Sequence, residues 1–316
     1  MPIITDKIIV NRWFSFYGKD EVKRLQFFNK NGINTVIRIN KLRIDEEVLL
    51  NKLRSKGIVL EKTFLDGAFK VLRQKISIGA TNEFLLGYYA IQGLASQYVS
   101  FLLQPRKDDL ILDMSAAPGG KTGHLSSLMN NNGLIIAIDV SKKRLSALRS
   151  NLSRLAVQNV LAFHGRAEEI VPILQKFDKI LLDAPCTGSG SICKQPNKEW
   201  IKEKSDIERL AKNQTILLET GIRALKIGGE LIYSTCSLEP EEGELQIIEL
   251  MKKYSNELDV QTIPKSINIE NKYISTLSDS NKKYYDLYKD KWLRILPQEE
   301  FEGFFICKIK KIKEIE

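Results

Sequence analysis

The sequence predicts an α/β protein: a mostly parallel sheet covered by helices on both faces, preceded by a small α+β domain. Three observations carry this expectation. From residue 110 onward, short apolar runs alternate with segments of helical periodicity, as expected of parallel strands joined by crossover helices. Residues 1–75 hold 16 Lys/Arg against 8 Asp/Glu, whereas residues 76–316 hold 32 against 31, so nearly all of the net charge of +9 lies in the first part. No long flexible linker, internal repeat or low-complexity block intervenes, so two domains, 1–75 and 76–316, are expected to pack on each other.

In the first part, EVKRLQFFNKNG spaces Val22, Leu25 and Phe28 as one face of a helix that ends at an Asn-Gly break. INTVIRIN reads as a strand on which Arg38 and Asn40 point together. Asp45 is placed to cap EEVLLNKLRSKG, a helix stopped by Gly57, and IVLEKTF follows as a strand. The stretch GATNEFLLGYYAIQGLASQYVSFLLQPR predicts one or two apolar helices ending before Pro105. Strands are then expected at LILDM (110–114), LIIAIDV (134–140), VLAFHG (160–165), KILLDAP (179–185) and ELIYSTC (230–236). KKRLSALRSNLSRL, ERLAKNQTILLETGIRAL and parts of RAEEIVPILQKF supply the helices between them. FFICKIKKI closes the chain as an antiparallel edge strand, because Phe305, Cys307 and Ile309 alternate with more polar positions. In such a sheet, ligands bind at the carboxyl ends of the parallel strands.

Composition narrows the class. With 316 residues, 43% of them hydrophobic, the chain has enough apolar material for a substantial core. Cys186, Cys193, Cys236 and Cys307 are too few for a disulfide scaffold and lack paired metal-ligand spacing, which points to a reducing interior. With only His124 and His164, no metal is expected. The N-terminal MPIITDKIIVNRW has no secretory pattern and no later run is long and charge-free enough for a membrane, so a cytoplasmic protein is expected. The basic first domain suits a polyanionic partner such as RNA, or is simply a lysine-rich solvated face; composition leaves both open.

Two stretches carry chemistry. LILDMSAAPGGKTGHL places Asp113 at a strand end and a small-residue turn before a helix, where backbone can approach a ligand closely. Asp139, at the end of the next strand, is suited to accept hydrogen bonds from a ribose diol. The turn lacks GxxxxGK[ST] and the full GxGxxG, so it is read as a nucleoside-cofactor loop or as a tight connection. LLDAPCTGSG and YSTCSLEP each put a cysteine just past a strand; such thiols pack as small apolar groups or share one site.

DMSAAPGGKT, DAPCTGSG and YSTCSLEPEEGE, in this order, resemble the defining motifs of the Nop/Sun family of S-adenosylmethionine-dependent RNA cytosine-C5 methyltransferases, in particular archaeal tRNA methyltransferases. AIQGLASQYV, RLAKNQTILL and EGFFICKIKK extend the similarity over roughly 76–316, and VIRINKLR is similar to the strand opening of the family's N-terminal module. The resemblance implies a Rossmann-like class I methyltransferase domain and an RNA-recognition-like α+β domain. It makes Cys236 the thiol that adds to cytosine C6, and Cys186 the thiol that assists product release. Asp183 would partner cytosine N3, Pro185 would fix backbone near the exocyclic amine, and Lys121 would approach the base or Asp183. Ser115, Ala116, Ala117, Pro118, Gly119, Gly120, Lys121, Asp139, Arg144, Arg166, Asp183 and Pro185 would bind S-adenosylmethionine, leaving S-adenosyl-L-homocysteine as product. Arg38, Asn40, Lys41, Arg43, Lys52 and Arg54 are expected to bind RNA.

The chain departs from the family at several positions. Ser115 replaces a cysteine, Arg166 stands where an acid commonly lies near the adenine edge, Gly243 occupies an expected asparagine, and ICKQPNKEW lacks the usual Arg-Arg and Pro-Asp pattern. The expected activity is methylation of C5 of cytosine in RNA, with tRNA as substrate and rRNA as alternative. A DNA methyltransferase, whose nucleophile would be the Pro-Cys cysteine Cys186, and a weakly catalytic RNA-assembly protein are the other readings. No membrane and no obligate protein partner are expected.

Overall fold

The computed structural model describes residues 7–196, 200–264, 271–272, 274 and 277–315; of ICKQPNKEW, Asn197, Lys198 and Glu199 lie outside the described residues. Two amphipathic helices come first, α1 (Lys7–Tyr17) and α2 (Lys19–Asn31). A small sheet follows from β1 (Val36–Ile39), β2 (Val59–Lys62), β3 (Ala68–Arg73) and β4 (Tyr89–Ile91), all antiparallel, in the order β2-β3-β1-β4. Helix α3 (Glu46–Ser55) packs Leu49 and Leu53 against Ile37, Ile39 and Phe69 of this sheet. Its start is fixed by the Asp45 carboxylate, which accepts the Glu47 amide at 2.9 Å.

Strand β4 was not expected, because Tyr89 and Ala90 lie in a segment apolar enough to read as helix. Only α4 (Asn82–Leu85) and α5 (Leu94–Leu103) of that segment are α-helical. The pairing of Ile37 with Ile91 and of Ile39 with Tyr89 extends the small sheet past the expected boundary at residue 75. Nor do residues 1–75 form one unit: Ile9, Trp13, Tyr17, Val22 and Leu25 are buried in the core of the large sheet. Trp13 Nε1 donates to Glu239 at 2.6 Å and Arg12 pairs with Glu241 at 2.7 Å, tying α1 to that core.

The larger body runs through β5 (Leu110–Asp113), α6 (Gly120–Leu128), β6 (Leu134–Asp139), α7 (Lys142–Arg154), β7 (Val160–His164), α8 (Ala167–Ile170), β8 (Phe177–Asp183), α9 (Lys204–Ala224) and β9 (Leu225–Thr235). It ends with α10 (Glu244–Tyr254), β10 (Leu258–Gln261), α11 (Asp279–Tyr288), β11 (Leu293–Ile295) and β12 (Phe304–Lys311). The sheet order is β10-β12-β9-β8-β5-β6-β7, with β11 also on β12, and the five strands from β5 to β9 are parallel. Alternation splits its side chains between two apolar cores. Leu112, Ile180, Leu182 and Tyr233 face α1 and α9, whereas Ile111, Leu181 and Ile232 face α5.

β12 is antiparallel to β9 as expected, but it is an interior strand flanked by β9, β10 and β11. The edge is supplied by β10 and β11, each too short to leave a period in the sequence. The strand order, not the strand direction, reverses between the parallel neighbours β5 and β8, which opens a crevice at their carboxyl ends.

A buried ion pair braces the sheet beside that crevice. Arg294 and Glu244 are both fully buried; Arg294 Nε donates to Glu244 Oε1 at 2.9 Å, and its Nη1 donates to Ser237 O. Removing one partner strands the other charge in the core. Glu244→Gln is therefore expected to lower unfolding free energy by about 3–5 kcal/mol in urea titrations, whereas Glu244→Leu with Arg294→Met should lose less.

Candidate active site

Strands β8 and β9 run in register, with Asp183 beside Ser234. The chain leaves β8 through Ala184 and Pro185 and leaves β9 after Thr235, so both cysteine turns emerge at the same edge of the crevice. The Cys186 and Cys236 thiols meet at 3.4 Å and are only partly buried. Glu242 holds the two turns together. Its buried carboxylate accepts the Thr187 amide at 3.0 Å and Gln214 Nε2 at 3.0 Å, while its own carbonyl accepts Tyr233 OH and Thr235 Oγ1. Burial raises that carboxyl group above its ordinary range. This residue was not singled out in the sequence; the run of acids after YSTCSLEP was its one signal.

The two thiols are electrostatically unlike. Their shared hydrogen bond draws Cys236 below the ordinary thiol range, helped by Ser191 and the Lys194 ammonium against burial and Asp183. The same bond, with burial, pushes Cys186 well above that range. Cys236 is thus the group poised as a thiolate. Cys193 and Cys307 are inert by comparison; burial pushes Cys193 up to about 12 and Cys307 higher.

Asp183 is held from both sides, accepting Lys121 Nζ at 2.7 Å on Oδ2 and Ser234 Oγ at 2.8 Å on Oδ1. Lys121, in the first turn of α6, also lies 5.2 Å from the centre of the Phe304 ring. Lys194 pairs with the fully buried Glu302 at 2.8 Å, and Glu302 in turn accepts Ser96 Oγ. Ser234, Lys194 and Glu302 lie within the quoted stretches YSTCSLEP, ICKQPNKEW and EGFFICKIKK, but the sequence named none of them as a site residue.

The turn from Ser115 to Gly120 is fastened to the next strand. The Ala116 amide donates to Ile138 O at 3.0 Å and the Ala117 amide to Asp139 Oδ2 at 3.1 Å; Asp139 Oδ1 accepts Ser141. Arg144 lies 3.6 Å from Asp139 and donates to Ala117 O. Gly119 has φ +94°, and a Cβ there would come within 2.7 Å of Leu148, so glycine is required. Two cavities meet at Ser115. One, of about 450 Å³, is lined by Asp113, Ala116, Pro118, Gly120, Lys121, Asp183 and residues of the small sheet. The other, of about 340 Å³, is lined by Asp139, Val140, Arg144, Arg166, Glu168, Pro185 and Leu210.

This donor set fits S-adenosylmethionine. The second cavity offers Asp139 to a diol and Val140 and Leu210 to a flat base, while the first offers the Asp113 carboxyl group to an ammonium. Burial pushes Asp113 up to about 7; Oδ2 accepts Thr122 Oγ1 at 2.7 Å, and Oδ1 has no hydrogen-bond partner among the described residues. Arg166, which cannot accept a hydrogen bond from an amine, pairs with Glu168 in the same cavity, so an acid is still present there. Among the described residues no group of three His, Cys, Asp or Glu side chains is placed to hold a metal, and no helix is long and apolar enough to cross a membrane.

The outward placement expected for the RNA-binding set holds for only part of it. Lys41, Arg43, Lys52 and Arg54 are exposed, Lys41 pairing with Asp66. Arg38 and Asn40 are buried, at 3% and 1% exposure. Alternation does put them on one face, but that face of the small sheet docks on the large body: Asn40 Nδ2 donates to Leu155 O at 2.8 Å, and Arg38 Nε donates to Gln92 Oε1 at 3.0 Å.

A family model described as 16S rRNA methyltransferase RsmB/F matches residues 100–310. The chain is 38% identical over 239 residues to a tRNA (cytosine(72)-C(5))-methyltransferase of Pyrococcus horikoshii, covering 76% of this chain and 56% of that protein. It is 35% identical over 246 residues to a mouse 28S rRNA (cytosine-C(5))-methyltransferase, covering 76% of this chain and 30% of the relative. The chain therefore spans about half or less of these relatives' lengths. Among solved structures, NSun6 from Pyrococcus horikoshii with the S-adenosylmethionine analogue SFG superposes with a TM-score of 0.83 at 26% identity, over 99% of this chain and all of that one. The likeness spans the whole architecture, so the α/β, Rossmann-like methyltransferase fold is shown.

The asymmetry of the thiols is open to measurement. Alkylation by iodoacetamide, followed by mass spectrometry across pH, should reach Cys236 before Cys186, with a midpoint below the roughly 8.5 of a free thiol. Cys186→Ala removes the bond that favours the Cys236 thiolate, so the midpoint should move up.

Proposed function

The chain belongs to the 16S rRNA methyltransferase RsmB/F family, and from that membership we propose that it methylates C5 of cytosine in RNA, with tRNA as substrate and rRNA as the alternative. The observation that carries the proposal is the pair of thiols at 3.4 Å beside an Asp183 held by Lys121. The cofactor, S-adenosylmethionine, supplies a methyl group made electrophilic by its sulfonium. The chain's own residues activate the base.

Cytosine C5 is a weak nucleophile until the Cys236 thiolate adds to C6, which moves electron density onto C5 and the ring nitrogens. Asp183, replenished by Lys121, shares a proton with N3 as that charge builds. After methylation, with Cys186 assisting release of the product, a solvent base takes the proton from C5. The pair that held it re-forms the C5–C6 double bond, the C6–S bond breaks, and its electrons return to Cys236. The unequal thiols suit this division of work: the lower one attacks as a thiolate, and the higher one stays protonated beside it and can donate a hydrogen bond to its sulfur as the C6–S bond breaks.

RNA would be held by the exposed Lys41, Arg43, Lys52 and Arg54 of the small sheet's domain, while the target base leaves its stack to reach the thiols. The tRNA assignment draws on the Pyrococcus relative; the mouse relative keeps rRNA as the alternative. A cytoplasmic setting follows from the same reading.

Cys236→Ala should bind cofactor yet reduce methyl transfer to background, and Cys186→Ala should accumulate an RNA–protein adduct bonded at Cys236. Labelled methyl transfer to tRNA, rRNA and DNA, with mass spectrometry of trapped adducts, reads both. Normal turnover in a folded Cys236→Ala variant with adducts at Cys186 would instead support the DNA-type mechanism, and no turnover on any RNA would favour an assembly role. Removing the charges of Arg43, Lys52 and Arg54 should weaken RNA binding and flatten its salt dependence by about one unit of slope for each phosphate that is no longer neutralised.

A further inference from the structure

Gln92 lies where the two sheets meet. Its amide follows β4, with the backbone N–H bonded to Val36 O at 3.1 Å and the backbone carbonyl accepting Gln97 Nε2 at 2.7 Å. Its side chain is 8% exposed and lines the larger cavity with Asp113, Gly120 and Lys121. Arg38 can only donate, so its 3.0 Å contact fixes Oε1 toward the guanidinium and Nε2 toward the opposite side. There Nε2 has no hydrogen-bond partner among the described residues. It faces Gly120, the first residue of α6: a Cβ built on Gly120 would lie 3.9 Å from it. A buried, oriented N–H donor therefore lies beside the first residue of a nine-residue helix, and Gln92, Gly120 and Lys121 line the same cavity.

We propose that Gln92, oriented by Arg38, receives the carboxylate of the cofactor's amino-acid end together with the N-terminus of α6. This rests on the cofactor reading of the same cavity and goes beyond it by giving the small sheet a part in cofactor binding. The unpartnered Asp113 Oδ1 in the same cavity takes the ammonium, so the two charges of the amino-acid end meet opposite partners. Arg38 acts through Gln92 and is a positioning residue. Its buried guanidinium has no carboxylate partner among the described residues, and its orientation of the amide accounts for a cation on the docked face of the sheet.

The test compares two ligands by isothermal titration in the full chain: S-adenosyl-L-homocysteine, which carries the carboxylate, and 5′-methylthioadenosine, which lacks the amino-acid end. Gln92→Ala should weaken S-adenosyl-L-homocysteine binding by about tenfold to a hundredfold, the worth of a hydrogen bond to a charged group, and leave 5′-methylthioadenosine unchanged. Arg38→Met should lose the same discrimination through the freed amide. Gly120→Ala, whose Cβ would pack at 3.9 Å from Nε2, should do so with both the Gln92 and Arg38 side chains left in place. The unchanged ligand shows that each variant is folded. Equal losses for both ligands, or no loss for S-adenosyl-L-homocysteine, would overturn the assignment. If wild type bound neither ligand, the cofactor reading would fail and the inference with it, an outcome distinct from selective survival of both affinities in Gln92→Ala.

Discussion

The parallel pairing of β8 with β9, which sets Asp183 beside Ser234, is the constraint on which the rest of the site depends. Side chains alternate along each strand, so a shift of one residue would turn Asp183 or Ser234 to the other face and separate the thiols beyond. Burial resists that shift, since Ile180 and Leu182 face one apolar core and Leu181 faces the other. Glu242 resists it from outside the sheet, because it binds the turn after Cys186 and the strand before Cys236 at once. Two thiols separated by fifty positions in the chain are thereby kept in contact without a covalent link.

The same sheet determines what the small sheet does. Val36 packs in the core that contains α5, and Arg38 and Asn40 share its face, so β1 is covered on both sides. A buried guanidinium without a carboxylate is costly, and Gln92 satisfies only one of its donors. That cost is offset by the docking surface around it, including Asn40 on Leu155 O and Arg154 on Phe84 O and Tyr89 O. The basic first part is therefore two things: an outward face of Lys41, Arg43, Lys52 and Arg54, and an inward face that closes a wall of the cavity.

What could be read in the sequence was what has a local period or a local turn. LILLD-like runs and the SAAPGG turn announce strands and a close backbone approach within a few residues, and the five parallel strands lie where those runs fall. The cysteines and Asp183 were legible because each sits at such a strand end. Arg38 was not, because alternation tells which residues share a face and not whether that face meets water. Nor were β4, β10 and β11, whose three or four residues pair only because a longer strand lies ready beside them. Glu242, Gln92 and Lys194 owe their importance to partners tens of positions away, which no window along the chain contains.

Gly243 shows how a departure from a family pattern can be intelligible once those distant partners are known. A Cβ at that position would lie 2.3 Å from Arg294 Nη2 and 3.0 Å from the Phe305 ring, so any side chain would displace the guanidinium. Arg294 comes from β11 and reaches Glu244, the next residue, and Ser237 O, one residue beyond Cys236. Glycine at 243 and arginine at 294 are in this sense a single choice. The absent side chain leaves room for a buried cation that grips the carbonyl beside Cys236, and Glu244 neutralises that cation where water cannot. The polar contact that stabilises the cysteine turn is thus supplied from an edge strand on the far side of β12, which makes the geometry of the thiol pair depend on the fold of the chain's last third.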